Sequence, residues 1–306
     1  MKPVLHLLSG CTAVGKTEWA LRWAEANQAE IISCDSLLFY RGMDIGTAKP
    51  SAAERARLPH HLVDICSVTE RMDVASYVRH ARAILAELNA RHRDVLVVGG
   101  SGFYLKAFFA PVADGVEVPA ALREQVAELS PEEMLERLLA LNGGNVGTLD
   151  VANPRRVTRA LERCLASGKT LADLAADFAR QPAPFSEWEA KLTELVREPE
   201  ELNERISARV RAMLQEGLVD EVRHLRAAGL ETNPSAASAI GYREVIAMLD
   251  GRLPLAELAE TIERNTRGLV KKQRTWFRTQ LPAHRRLNAG QLRSPADLFS
   301  RDPLGF

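Results

Sequence analysis

Residues 3–17 read PVLHLLSGCTAVGKT. The apolar run from Pro3 to Ser9 has the length and flanks of a buried strand, and the pattern from Lys16 to about Ala26 is helical. Between them, Gly10, Cys11, Thr12, Ala13, Val14, Gly15, Lys16 and Thr17 match G-x-x-x-x-G-K-[ST]. The octet stands where such a loop works, after a strand and at the start of a helix. Its glycines let the backbone curl so that N–H groups point at phosphate oxygens, and the helix N-terminus adds partial positive charge. Lys16 neutralises terminal phosphates, and the Thr17 hydroxyl is placed to ligate Mg²⁺. A glycine-rich turn with a solvated lysine would not need this strand–loop–helix order.

Outward from the loop, Glu30–Ser33 (EIIS) is a second short strand leading to Asp35, and His61–Ile65 (HLVDI) reads as a third. Helical spacing runs from Asp73 to about Asn89, and Asp94–Val98 (DVLVV) is a strand closed by Gly99-Gly100-Ser101-Gly102. Strands alternating with helices imply parallel β-α-β units with right-handed crossovers. The expected fold is α/β, a P-loop NTPase-like parallel sheet core flanked by helices. Near Ala113 the chain turns Ala- and Leu-rich and helical, so 113–186 is expected to be a mostly helical insertion domain in a core made of 1–112 and 187–306. Lys191–Val196 is expected to return to the sheet. Helices are expected over Leu202–Glu216, Val219–Ala228 and Ile240–Leu249, stopped by Gly217, Gly229 and Gly251. A long helix over Leu255–Gln280 is ended by Pro282.

Forty basic residues balance forty acidic ones in 306, so net charge does not argue for a nucleic-acid partner, and any such surface must be local. Cys11, Cys34, Cys66 and Cys164 are far apart with no C-x-x-C spacing, which predicts free thiols in a reducing cytoplasm rather than a zinc site. No signal peptide or membrane span is expected.

The loop identifies a phosphate binder and leaves the reaction open. Nucleotide hydrolysis usually adds an acid at the end of a neighbouring strand to hold Mg²⁺. DVLVV ends instead in Gly-Gly-Ser-Gly, which weakens motor and GTPase readings and leaves a small-molecule kinase open. Asp35 follows a strand at the edge where α/β sheets bind ligands. A carboxylate beside bound phosphate is costly unless it takes a proton or holds a metal, but an Asp capping a loop is equally ordinary. Ser101 could donate to a leaving-group oxygen, although a tight turn would need the same glycines.

Taken together, GCTAVGKT, ISCDSLLFYRGMDIGTAKP, HHLVDI, VVGGSGFYLKA, NPRRVTRALE, RISARVRAMLQEGLVDEV, AIGYREV and NTRGLVKKQRTWFR, in order from residue 10 to residue 278, resemble the tRNA dimethylallyltransferase (isopentenyltransferase) family. The resemblance implies transfer of the dimethylallyl group of dimethylallyl diphosphate to N6 of the adenosine 3′ of the anticodon, in tRNAs reading codons that begin with U. It implies Mg²⁺ on Thr17, Asp35 as general base at the adenine amine, and Ser101 and Lys16 stabilising the departing diphosphate held by Gly10–Thr17. It also implies tRNA contacts at Asp35, Ser36, Leu37, Leu38, Ser101, Arg123, Arg155, Arg156, Val157, Thr158, Arg159, Ile240, Gly241, Tyr242 and Arg243. The target base must leave its loop to reach the acid. The expected partners are the tRNA anticodon stem-loop and dimethylallyl diphosphate, with no membrane, a monomeric chain and a cytoplasmic location.

Without the resemblance, Arg155, Arg156 and Arg159 read as a solvated helix face. The last helix carries Arg264, Arg267, Lys271, Lys272, Arg274 and Arg278 against Glu263 between residues 261 and 280, a local surface suited to a nucleic-acid backbone. Trp276 and Phe277 are expected to be core anchors, and His60 and His61 structural. The chain departs from the usual family pattern at Cys11 (commonly Pro), Val14 (commonly Ser), Ser101 (usually Thr), Gly268 (usually Gln) and before Asn153, where a His-Pro lead is missing. An adenylate prenyltransferase would share the loop and the acid without a tRNA surface. A small-molecule kinase would need a nucleobase pocket and a lid. A regulatory nucleotide-binding module would use the loop as a switch.

Overall fold

In the computed structural model, which describes residues 2–299, the opening apolar run becomes β1 (Val4–Gly10), and Leu5, Leu7 and Leu8 are fully buried. The chain continues through α1 (Lys16–Ala26), β2 (Glu30–Ser33), α2 (Ala52–Arg57), β3 (His60–His61), α3 (Val74–Ala90), β4 (Val95–Gly99) and α4 (Gly102–Lys106). Four helices follow: α5 (Ala120–Ala127), α6 (Pro131–Leu141), α7 (Pro154–Ser167) and α8 (Leu171–Arg180). Then come β5 (Glu189–Val196), α9 (Pro199–Gln215), α10 (Leu218–Ala227), α11 (Pro234–Ala237), α12 (Tyr242–Leu249), α13 (Leu255–Gln280) and β6 (Arg285–Asn288).

The sheet order is β3-β2-β4-β1-β5-β6, every pairing parallel. β1 lies between β4, with His6 opposite Leu96, and β5, with Val4 opposite Glu189. The interior strands are near-continuous apolar runs because helices cover parallel sheets on both faces. The chain leaves β1 toward β2 but leaves β4 toward β5, so the ends of these adjacent strands lead in opposite directions. Such a reversal opens a crevice at the carboxyl edge.

The chain divides into two compact units. One holds residues up to Phe109 and from Phe185 onward, and the other is Ala110–Pro184. Composition placed these borders at 112/113 and 186/187, and its extension of the core to residue 1 and to 300–306 lies outside the described residues. The second unit contains α5–α8 around Val126, Leu138, Val157, Leu161 and Leu174, with capping boxes at Ser130 and Thr170 starting α6 and α8.

Three local expectations change. The third strand pairs only at His60–His61, because Leu62 and Asp64 take left-handed φ values of 59° and 56° and turn the chain out of the ladder. The helix expected from Ile240 starts at Tyr242, after Gly241 at φ 95°. Neither α2 nor β6 was anticipated: α2 buries no residue and rests on the Ser51–Glu54 capping box, and RRLN carries no apolar alternation.

Beside its ladder to β5 and the packing of Leu287 on the core, the edge strand β6 is braced by charge. Glu194 of β5, 3% exposed, accepts from Arg286 Nε at 3.0 Å and pairs with His284 Nε2 at 3.1 Å. The hydrogen bond to Glu194 raises the His284 pKa above 6.5. A raised folded-state pKa means that this pair contributes fully below about pH 6.5 and is lost as pH rises through the folded value. His284→Gln is therefore expected to lower Tm at pH 6 by about 2–4 °C, for a charge-assisted bond on the order of 1 kcal/mol, and by less at pH 8.5. Equal Tm gaps at the two pH values would rule out the ion pair as the cause.

Candidate active site

The octet forms its loop at the end of β1, with Ala13 left-handed at φ 66°. Two arginines hold its outer side: Arg205 Nε donates to the Ala13 carbonyl at 2.7 Å and Arg197 Nε to that of Val14 at 2.8 Å. A trans peptide whose carbonyl faces Arg197 turns the Gly15 N–H the opposite way. Lys16 Nζ donates to the carbonyls of Gly10 (2.8 Å) and Cys11 (2.9 Å), which holds the ammonium across the loop. Burial pushes its pKa down to about 8, opposed by the nearby Asp35 and reinforced by Arg209. Cys11 is a buried thiol whose pKa burial raises to about 11, so the residue standing where the family commonly has Pro is neutral and inert.

The second strand and the glycine turn meet beside this loop. A Cβ on Gly99 would lie 1.9 Å from the Cys34 carbonyl oxygen, so only glycine lets β4 end this close to the residue before Asp35. Ser101 N donates to that carbonyl at 3.4 Å. Its Oγ accepts from Ser36 N at 3.0 Å and donates to Ser36 Oγ at 3.2 Å. Asp35 Oδ1 accepts from Leu37 N at 3.0 Å, and among the described residues Oδ2 has no hydrogen-bond partner. The loop-capping and chemical readings of Asp35 are thus compatible, with one oxygen for each.

Two residues of this site were not anticipated from sequence. Arg209 on α9 donates to the Thr47 carbonyl at 3.0 Å; burial lowers its pKa and Asp35 opposes the shift. Gln273 on α13 spans both loops, accepting from Thr12 N at 3.0 Å and donating to the Gly100 carbonyl at 3.1 Å. The signal was present in both cases. Arg209 falls between Ile206 and Met213, and Gln273 between Val270 and Phe277, each a polar residue on the apolar stripe of its helix.

Three cavities share these walls. One of about 350 Å³ has Asp35, Ser101, Arg209 and Gln273 on its polar side and Ile206, Val210, Met213, Ile262 and Leu269 on its apolar side. A smaller one of about 100 Å³ is lined by Thr12, Lys16, Thr17, Asp35 and Arg209. The third, about 730 Å³ and open, is lined by Lys16, Thr17, Arg22, Arg57, Arg205 and Arg209, five cations that outnumber its two carboxylates, Glu18 and Glu54. Asp35 borders the first two and Lys16 the last two, so the series runs from apolar to basic across the acid. Thr17 offers a hard oxygen beside Lys16 and shares the smallest cavity with the Asp35 carboxylate, a donor set that fits Mg²⁺ shared with substrate phosphates. Among the described residues, no three His, Cys, Asp or Glu side chains gather as a metal cluster.

The remaining sequence candidates separate. Ser36, Leu37 and Ile240 line the 350 Å³ cavity, and Leu38 the smallest. Gly241 N and Arg243 Nε both donate to Glu244, at 2.7 Å and 2.6 Å, and the Tyr242 side chain is buried. In the second unit Arg123, Arg155, Arg156 and Arg159 are exposed, Thr158 Oγ1 donates to the Pro154 carbonyl at 2.9 Å, and Val157 belongs to the unit's core. Phe277 is a core anchor, but Trp276 is half-buried and lines the 350 Å³ cavity together with Lys272. His61 pairs with Glu30 at 2.7 Å and His60 with the Leu58 carbonyl at 2.9 Å, both structural contacts. Among the described residues no helix is long and apolar enough to cross a membrane.

Fold and site define a parallel α/β protein with a Walker-type loop at the carboxyl edge of its sheet and an acid facing it. The sequence model of the IPP transferase family matches residues 38–280, most of the chain. The chain is 69% identical over 298 residues to the tRNA dimethylallyltransferase of Opitutus terrae, covering 97% of each protein. It is also similar to the crystal structure of the tRNA isopentenylpyrophosphate transferase of Bacillus halodurans, with a TM-score of 0.67, 31% identity, and coverage of 94% of this chain and 90% of that one. A eukaryotic dimethylallyltransferase acting on tRNA shares the fold at a TM-score of 0.78 and 22% identity, over 90% of this chain and 70% of that one. The chain belongs to the IPP transferase family.

Proposed function

We propose that this protein is a tRNA prenyltransferase that moves the dimethylallyl group of dimethylallyl diphosphate to N6 of the adenosine 3′-adjacent to the anticodon, in tRNAs reading codons that begin with U. The observation that carries this reading is the series of cavities in which Asp35 and Arg209 stand between an apolar chamber and the basic ground around Lys16. A prenyl diphosphate has matching ends, an apolar tail and a multiply charged head. Lys16, Arg209 and the loop amides bind the head, with Thr17 holding Mg²⁺, which supplies further charge neutralisation. The N6 lone pair attacks the first prenyl carbon, the carbon–oxygen bond to diphosphate breaks with its electron pair, and an N6 proton passes to Asp35. A carboxylate increases the nucleophilicity of the amine while cations stabilise charge growing on the leaving oxygen. Ser101 stands between the two loops, where its hydroxyl can turn from Ser36 toward that oxygen.

The adenosine enters flipped out of its loop. Exposed Arg123, Arg155, Arg156 and Arg159, and the exposed Lys271, Lys272, Arg274 and Arg278 of α13, supply charge for the tRNA backbone, so tRNA affinity falls with added salt. One chain carries all of these groups, in keeping with a monomer acting in the cytoplasm.

The test is incubation with labelled dimethylallyl diphosphate and, separately, unmodified tRNA, AMP, or ATP without acceptor. Label entering tRNA at the adenosine N6 is expected. Label in AMP with none in tRNA would make the protein an adenylate prenyltransferase, and ATP turnover alone would make it a kinase or nucleotide switch.

A further inference from the structure

The segment DIGT, residues 44–47, forms part of the wall of the 350 Å³ cavity that holds Asp35 and Ser101, through Gly46 and Thr47. Its conformation is set from a distant helix. Glu221 of α10 accepts four donors: Asp44 N (3.0 Å) and Ile45 N (2.7 Å) on Oε2, and Gly46 N (3.1 Å) and Tyr242 Oη (2.7 Å) on Oε1. Tyr242 packs so tightly on the turn that a Cβ at Gly46 would lie 2.5 Å from its ring. The next carbonyl, that of Thr47, accepts the Arg209 guanidinium at 3.0 Å. The Thr47 hydroxyl is turned back to the Met43 carbonyl at 2.6 Å, which tightens the same turn. Arg209 also lines two cavities together with Asp35, whose opposite charge counters the lowering of the Arg209 pKa by burial.

We propose that Glu221 is a positioning residue for the transfer: it fixes the 44–47 turn so that the Thr47 carbonyl aims Arg209 into the donor site and keeps it off Asp35. The proposal rests on the reading of Lys16 and Arg209 as the diphosphate cradle. Glu221 does not line the cavity itself and acts through one backbone carbonyl. Both of its oxygens are used, and each accepts two donors. A glutamine there has one acceptor oxygen and presents an NH₂ group to N–H donors, so it cannot hold the turn. With the turn released, the guanidinium is free to pair with the Asp35 carboxylate. That would cost donor affinity and mask the base together, while leaving tRNA-facing surfaces unchanged.

The test is a double-mutant cycle on the full chain, with inorganic pyrophosphate affinity read by calorimetry and KM for each substrate read from turnover. Glu221→Gln and Arg209→Lys are each expected to weaken pyrophosphate binding about tenfold, and the double variant to be no weaker than Arg209→Lys within about twofold, as coupled residues behave. KM for tRNA is expected to change less than about twofold in Glu221→Gln. Full additivity of the two losses, or normal pyrophosphate affinity in Glu221→Gln beside an impaired Arg209→Lys, overturns the positioning role alone. Normal affinity in Arg209→Lys overturns the cradle reading instead. If Glu221→Gln fails to fold, Tyr242→Phe removes one donor from the carboxylate at unchanged shape. It is expected to weaken pyrophosphate binding about threefold, and unchanged affinity there counts against the proposal.

Discussion

Asp35→Ala is expected to cut turnover at least about a hundredfold, about 2.7 kcal/mol of transition-state stabilisation, with tRNA binding largely intact. Asp35 lines two of the cavities, and its Oδ1 caps the turn at Leu37 while Oδ2 has no hydrogen-bond partner among the described residues. Asparagine separates the two tasks. Asp35→Asn keeps an acceptor for Leu37 N but cannot take a proton, so its turnover should match that of Asp35→Ala. Single-turnover rates at saturating donor provide the measurement, and near-normal rates in Asp35→Asn would retire Asp35 as the base. Donor affinity should survive, because removing the carboxylate takes a negative charge away from the diphosphate site. A second readout follows from the electrostatics. Asp35 raises the Lys16 pKa against the burial that lowers it, so in Asp35→Ala the ammonium should deprotonate at lower pH than in the parent.

Lys16→Ala is expected to weaken donor binding and chemistry together, each at least about tenfold, the scale of a hydrogen bond to a charged group. The same residue predicts a pH dependence. Its pKa of about 8 means that the unliganded protein loses the Lys16 charge as pH rises through that value. KM for the donor should therefore climb above about pH 8, approaching tenfold per pH unit. Bound diphosphate favours the charged form, so kcat should hold to higher pH than kcat/KM. In Lys16→Ala the limb near pH 8 should vanish. Unchanged donor affinity in that variant would remove Gly10–Thr17 from the diphosphate site.

Much of the core was legible as local pattern. β1, β2 and β4 are apolar runs ended by turn residues, β5 was placed within two residues of its start, and α13 runs over the expected Leu255–Gln280. What failed locally had no local signal. β6 pairs with β5 along a ladder that Leu287 joins to the core and that Glu194 braces through His284 and Arg286, none of which RRLN announces. HLVDI has the composition of a strand, yet Asp64 is held by Lys49 at 2.5 Å and Arg55 at 2.6 Å, and these ion pairs take the chain out of the sheet. The motif DSLLFYRGMDIGTAKP was legible as an acid and the family-like sequel that follows it. Much of that sequel is scaffold: Lys49 is buried on the Tyr40 carbonyl at 2.8 Å, and residues 44–46 hang from Glu221.

The sequence by itself determined the phosphate loop, the acid at the end of the second strand and the alternation that makes a parallel sheet. Each is written in contiguous residues, where backbone geometry and side-chain periodicity act over a few positions. Only the tertiary structure decided which polar residues of the amphipathic helices join that loop. Arg209 and Gln273 lie on apolar stripes, and a stripe says that a side chain is enclosed, not what it meets. Gln273 reaches Thr12 across 261 positions of chain, a contact that exists only because packing of the sheet and α13 closes that distance.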